Sequence, residues 1–78
     1  MADLKTTLHD IAAAIVDSPD EVNVECTETD TSIELVLSVA PDDMGMVIGR
    51  HGRIAKAIRT VIKAAATPSG KKVNVEIR

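Results

Sequence analysis

Apolar residues recur along the chain with two different periods, and the changes of period mark the predicted elements. Near the N-terminus, a spacing of three and four residues predicts an amphipathic helix. Asp3 can cap its start, and Pro19 lies beyond its end because proline cannot continue the helical hydrogen bonds. The apolar positions of this helix are Leu4, Leu8, Ile11, Ala12, Ile15 and Val16.

Two stretches in which every second residue is apolar predict a pair of strands. The first covers residues 22–27 and the second residues 33–39, and Thr29-Asp30-Thr31 forms a turn between them. Val36 interrupts the polar side of the second strand, so we expect that strand to be the central one. Cys26 continues the apolar alternation of the first strand and is expected to be buried.

The next segment predicts two helices that meet at a short loop. Pro41-Asp42-Asp43 is typical of a helix start, since proline fits the first turn and acids complement the positive helix end. Gly49 ends this short helix. Its residues expected to face inward are Met44, Val47 and Ile48. A second helix begins at about Arg53, and its predicted apolar face consists of Ile54, Ile58, Val61, Ile62 and Ala65.

The remaining residues complete the predicted topology. Thr67-Pro68-Ser69-Gly70 ends the second helix, and a last strand alternates over residues 72–78. The order is therefore helix–strand–strand–helix–helix–strand. A short turn makes the first two strands antiparallel, and a helical crossover makes the second and last strands parallel neighbours. We predict the α+β class, with a mixed three-stranded sheet packed on one face by three helices, in a single domain over residues 1–78.

The charges are distributed unevenly along the chain. The total of −3 argues against nucleic-acid binding, because phosphate contacts need a basic surface. However, residues 1–49 contain eleven acidic side chains against Lys5, a net charge of −10, whereas residues 50–78 contain eight basic ones against Glu76, a net charge of +7. The sign changes at Gly49/Arg50, where the two predicted helices meet. The basic segment of residues 50–78 is thus available to an anionic partner.

Composition narrows the function classes. The chain has no Phe, Tyr or Trp, which excludes binding of bases by stacking on aromatic platforms. Its single cysteine, the absence of a leader-like N-terminal segment and the absence of a long apolar run predict a cytoplasmic protein that does not enter membranes. Cys26, His9 and His51 are scattered, so no metal site is predicted. No catalytic pair or nucleotide-binding fingerprint is present, so we expect neither enzymatic activity nor a cofactor.

The loop Gly49-Arg50-His51-Gly52 has the chemistry of a phosphate-binding loop. Glycine permits positive φ angles and lets a ligand approach the backbone, and the loop leads into a helix N-terminus that attracts anions. Arg50 and His51 can donate hydrogen bonds to phosphate. Arg53 and Lys56 lie near the helix N-terminus, where the dipole disfavours cations, which indicates an external anion. An ordinary connecting turn would need only one glycine.

This segment resembles the KH-domain motif, in which Gly-x-x-Gly stands between aliphatic residues. Here Ile48 precedes the loop and Ile54 follows it. The order of the elements is similar to the type II KH fold. The whole chain resembles the small single-domain bacterial KH proteins of the KhpA type, most clearly from Ala40 to Ala66.

The resemblance implies non-catalytic binding of single-stranded RNA. KH domains hold about four nucleotides, with Gly-x-x-Gly on the backbone and an aliphatic groove that receives bases without aromatic stacking. On this basis Gly49–Gly52 contact phosphates with support from Arg53 and Lys56, while Gly45 and Ile48 shape the groove. It also implies a role in post-transcriptional regulation or as an RNA chaperone, a homodimer, and pairing with a larger KH protein of the KhpB type.

The sequence also fits a second function. The chain could instead be an oligomerising subunit of a KH-protein complex, with RNA binding secondary. The tract Ala64-Ala65-Ala66 fits either simple helix propensity or close helix packing in a dimer. Arg59 and Lys63 are expected to form a solvated helix face, and Ile48 and Ile54 to be core residues first and groove residues second.

Overall fold

The computed structural model describes residues 3–78 and has the predicted order of elements. Met1 and Ala2, which belong to the predicted domain of residues 1–78, lie outside the described residues. Short 3-10 turns precede β1, α2 and α3 and follow α3. The helices and strands are α1 (Leu4–Ile15), β1 (Asn23–Glu28), β2 (Ser32–Ser38), α2 (Met44–Ile48), α3 (Arg53–Ala66) and β3 (Lys72–Ile77).

The first helix begins where the sequence predicts. The side chain of Asp3 accepts hydrogen bonds from the Lys5 backbone N–H and from the Thr6 hydroxyl, both at 3.0 Å, so the predicted cap is confirmed. Helix α1 ends at Ile15, before Pro19. Its fully buried residues are Leu8 and Ala12, which fix the helix on the sheet by one narrow apolar stripe.

The sheet has the order β1-β2-β3, with β2 in the centre. Strands β1 and β2 pair antiparallel, and β2 and β3 pair parallel, as predicted. The turn between β1 and β2 is held by the Thr29 hydroxyl, which accepts from the N–H groups of Thr31 and Ser32 at 3.3 and 3.0 Å. Val36 lies on the solvent face of the central strand between Glu25 and Glu76, and it is half-buried.

The core lies between one face of the sheet and the helices. Its largest fully buried side chains are Leu8, Leu35, Leu37, Val47 and Ile62. They come from α1, β2, α2 and α3, so every helix contributes to the same core. Within residues 3–78, no helix combines the length and the apolar character that crossing a bilayer requires.

The buried face of α3 is rotated by part of a turn from the predicted one, so the prediction is wrong for three residues. Ile54, Val61 and Ala65 are exposed, the first two at 37% and 50%. The buried face contains two alanines, Ala55 and Ala66, beside Ile58 and Ile62, whereas Ile54 and Val61 lie outside the contact. The residues that α3 buries are Ala55, Ile58, Ile62 and Ala66.

Two further expectations about burial are wrong. Ile48 is 39% exposed, because the core-facing side of α2 is taken by Val47, and the expected core role of Ile54 fails in the same way. Cys26 is exposed, because it lies on the edge strand β1 beyond the part of that strand covered at Val24. Partial burial, reinforced by the carboxylate of Glu28, raises the pKa of the Cys26 thiol.

One buried carboxylate fixes the position of α2. Asp43 is only 2% exposed, and its carboxylate accepts a hydrogen bond from the backbone N–H of Ser18 at 3.1 Å. The sequence predicts an acid here that complements the helix start, but its side chain makes no capping bond to α2. Instead it joins the segment after α1 to the segment that leads into α2.

Substitution of Asp43 tests that contact. We expect D43A to lower the free energy of unfolding by about 1–3 kcal/mol, because it leaves the part-buried Ser18 N–H without its acceptor. Exposed Asp42 offers a matched control, and D42A should change stability by less than about 0.5 kcal/mol. Urea unfolding followed by circular dichroism measures both. Equal losses in the two variants would show that the buried bond does not stabilise the fold.

Candidate nucleic-acid interface

The loop between α2 and α3 is defined by an unusual backbone. Gly49, His51 and Gly52 all have positive φ angles, of 74°, 59° and 73°. His51 is the sole non-glycine residue with positive φ in the described part of the chain. A left-handed backbone is unfavourable for a residue with a Cβ, and such residues concentrate at functional sites. The positive φ angles therefore favour glycine at both ends of the loop, as the sequence predicts.

The same backbone leaves hydrogen-bond donors free. The N–H of Gly49 donates to the carbonyl of Gly45 at 2.9 Å and ends α2, and the N–H of Gly52 donates to the carbonyl of Gly49 at 3.2 Å. Between them, the N–H groups of Arg50 and His51 donate to no acceptor within residues 3–78. Adjacent unpaired N–H groups in a turn before a helix N-terminus form an anion-binding arrangement.

Gly49 is also constrained by its neighbour across the loop. A Cβ built on Gly49 would lie 2.5 Å from Cγ1 and 2.8 Å from Cβ of Ile54. The Ile54 side chain therefore packs directly over the Gly49 backbone. By contrast, a Cβ on Gly52 or on Gly45 would meet no atom within 4 Å. The start of the loop is closed by packing, and its end is open to a ligand.

The basic side chains at the loop are available for an external anion. Arg50, His51, Arg53 and Lys56 are exposed. None of them forms a salt bridge with a partner among residues 3–78. Because no carboxylate neutralises them, their charge adds to that of the free backbone N–H groups.

Exposed aliphatic side chains flank the loop on both sides. Met46 and Ile48 on α2 and Ile54 on α3 are exposed at 36%, 39% and 37%. Gly45 is exposed and lies three residues before Ile48, on the same face of α2. Their exposure costs hydrophobic free energy unless a ligand covers them. All the predicted site residues thus lie on one continuous segment, namely Gly45, Ile48, Gly49, Arg50, His51, Gly52, Arg53 and Lys56.

Two features of this surface are not apparent from the sequence. Arg59 does not simply extend into solvent, because its Nε donates a hydrogen bond to the carbonyl of Val75 at 3.2 Å and so joins α3 to β3. Its spacing from Lys56 and Lys63 places it in the basic row of α3, but its acceptor depends on the tertiary fold. Val61, assigned by its periodicity to the core, lies at the surface.

Comparison with known proteins places the chain in a family. A family model described as the KH domain of KhpA/KhpB matches residues 5–77. The RNA-binding protein KhpA of Clostridium acetobutylicum is 60% identical over 74 residues, which cover 95% of this chain and 99% of that protein. The KhpA of Clostridium perfringens is 54% identical over the same shares of the two chains. The KhpA of Listeria monocytogenes is 49% identical over 67 residues, or 86% of this chain and 88% of that protein.

A solved structure supports the fold. Era, crystallised in complex with MgGDPNP and nucleotides 1506–1542 of 16S ribosomal RNA, superposes with a TM-score of 0.69 at 16% identity. The superposition covers 95% of this chain and 28% of the longer Era chain. The predicted KH-like α+β fold is therefore confirmed. From the family match and the identity to KhpA proteins over nearly the whole chain, we conclude that this chain belongs to the KhpA/KhpB KH-domain family.

Proposed function

We propose that this protein binds single-stranded RNA and catalyses no reaction. The observation that carries the proposal is the left-handed loop, in which two free backbone N–H groups coincide with the unpaired cations of Arg50 and Arg53. Phosphates of the RNA backbone occupy this loop and accept hydrogen bonds from Arg50, His51 and the loop N–H groups. The RNA-binding function that the related KhpA proteins carry in their names supports this assignment.

The aliphatic surface receives the bases. About four nucleotides fit along a KH groove. Gly45 leaves open space on α2, and Ile48 and Ile54 offer van der Waals contact to base faces on either side of the loop. Such contact needs no aromatic ring, so a chain without Phe, Tyr or Trp can still bind single-stranded RNA. Lys56, one turn into α3, adds a cation for a neighbouring phosphate.

The cellular role follows from this binding mode. One KH domain neutralises few phosphates, so its affinity for RNA is weak and depends on salt. We propose that the protein acts in the cytoplasm as a post-transcriptional regulator or RNA chaperone, as a homodimer that links two such sites. We also propose that it can form a heteromer with a larger KH protein of the KhpB type. We also propose that residues 1–78 form a single domain.

A second candidate function is favoured by the exposed stripe on α3. Ile54, Ala57, Val61 and Ala64 are all exposed and recur at the spacing of one helix face. Such a stripe is suited to close packing with another helix, and it includes Ala64 but not Ala66, which is in the core. The protein would then serve mainly as an oligomerising subunit of a KH-protein complex.

Reversal of charge in the loop tests the proposed RNA site. We expect R50D/H51D to weaken binding of a randomised single-stranded tetranucleotide pool by more than tenfold, because two phosphate contacts are lost and repulsion is added. Aspartate tolerates the left-handed backbone of position 51, so circular dichroism should show an unchanged fold. Fluorescence anisotropy measures the affinity.

The matched control is K5D/H9D, which likewise replaces one cationic residue and one histidine by aspartate, but on α1. It should leave the affinity within about twofold of the wild-type value, because neither residue belongs to the Gly49–Gly52 loop or to the aliphatic surface beside it, and salt screens the repulsion from more distant charges. Wild-type affinity in R50D/H51D, or equal losses in the two variants, would overturn the loop assignment.

Alanine substitution separates the backbone strain of the loop from its role in binding. Gly52 and Gly70 both have left-handed φ angles and open space where a Cβ would be. G52A and G70A should therefore lower stability to a similar extent, by about 1 kcal/mol. We expect only G52A to weaken tetranucleotide binding, since its Cβ would project toward the phosphate. Thermal unfolding and anisotropy on the same samples make the comparison; equal effects on binding would remove Gly52 from the site.

Substitution of Val61 distinguishes the two candidate functions. We expect V61D to convert a dimer into a monomer, because it places a charge in the centre of the exposed stripe. Size-exclusion chromatography with light scattering measures the mass. Full binding of the tetranucleotide pool by monomeric V61D would support RNA binding as the property of each chain, whereas loss of binding together with the dimer would favour the oligomerising role.

A further inference from the structure

The basic side chains of α3 continue well beyond the loop. Lys56, Arg59 and Lys63 are spaced at i, i+3 and i+7 and lie on one side of the helix. The hydrogen bond from Arg59 Nε to the carbonyl of Val75 shows that this side faces the edge strand β3. A row of cations therefore follows the boundary between α3 and β3, away from the Gly49–Gly52 loop.

This row ends at a second basic cluster. Lys63 lines a cavity of about 380 Å³ together with Thr67, Lys71, Lys72, Val73 and Asn74. The lining includes three lysines and no carboxylate. Lys71 forms an ion pair with Glu28, while Lys63 and Lys72 are exposed and form no salt bridge within residues 3–78. Two unneutralised cations thus border one concave surface formed by the end of α3 and the start of β3.

The distance from the loop fits a continuous strand. Lys63 is ten residues beyond Arg53, or about 15 Å along the helix. A stacked nucleic-acid strand carries one phosphate about every 3.4 Å, so about four phosphates span this distance, and fewer suffice when the strand is stretched. A strand held in the loop can therefore place its next phosphates at the cavity.

We propose that the cavity beside Lys63 and Lys72 is a second phosphate site, which takes the RNA backbone where it leaves the four-nucleotide groove. Lys56 and Arg59 bridge the two sites with a continuous positive charge. The proposal rests on the proposed function at the Gly49–Gly52 loop and extends its footprint from about four nucleotides to a longer strand. The two lysines act as point charges and carry no base preference.

The test compares RNA lengths in one double variant. We expect K63Q/K72Q to bind a randomised tetranucleotide pool as the wild type does, and to bind a randomised dodecanucleotide pool about tenfold more weakly at physiological salt. The salt slope for the longer pool should fall by about 1.4, since each phosphate on a single strand contributes about 0.7. Anisotropy titrations at several salt concentrations measure the affinity and the salt slope. The variant and the wild type are compared on the same pool, so the larger number of binding positions on a longer RNA affects both proteins equally.

Lys5 is the matched control, because it is the sole lysine or arginine among residues 1–49 and lies on α1. K5Q should bind both pools as the wild type does. Wild-type affinity of K63Q/K72Q for the long pool, or an equal loss on both pools, would overturn the second site. Failure of the proposed function is distinguishable, because R50D/H51D would then retain binding of the tetranucleotide pool whatever the lysine variant does.

Discussion

The left-handed reversal between α2 and α3 is the constraint on which the rest of the molecule depends. Positive φ at Gly49, His51 and Gly52 turns the chain within four residues, so that both helices pack on the same face of the sheet. The same reversal leaves the N–H groups of Arg50 and His51 without acceptors among the described residues. Ile54 packs over Gly49 and fixes the geometry, because no larger residue fits beneath it. A structural need for chain reversal and a chemical need for anion-binding groups are thus met by the same four residues.

Charge placement is the second organising feature. Residues 1–49 carry most of the acidic side chains, and two of these, Glu25 and Glu34, lie on the open face of the sheet. Glu76 of β3 lies on the same face. The cations lie on the loop and along the β3-facing side of α3, where no carboxylate neutralises Lys56 or Lys63 within the described residues. A polyanion is therefore attracted to the loop, to α3 and to the start of β3, and repelled from the part of the sheet face that carries Glu25, Glu34 and Glu76. The net charge of −3 averages these two surfaces and describes neither.

The exposure of aliphatic side chains has a consistent explanation in the same surface. A small domain gains stability by burying its apolar residues, yet Met46, Ile48 and Ile54 are left at the surface around the loop. The core is completed instead by smaller residues, with Ala55 and Ala66 of α3 among those buried. In the proposed function, contact with bases covers the exposed aliphatic residues. The cost of leaving them in water in the free protein then becomes a contribution to binding.

The sequence by itself determines the order of elements, the pairing of the strands and the position of the loop, because these follow from local signals: the Asp3 cap, the alternation of the strands and the glycines at 49 and 52. The family and the segment that forms the candidate site follow for the same reason, since the site residues are consecutive. The tertiary structure decided which of the apolar residues on α2 and α3 are buried. The periodicity of apolar residues predicts burial for Val61 and Ile48 as well as for Ile62 and Val47. Only Ile62 and Val47 are buried, because the sheet can cover only one side of each helix. The tertiary structure also decided the hydrogen bond from Arg59 to Val75 and the cavity that Lys63 and Lys72 share, because both depend on how β3 lies against α3.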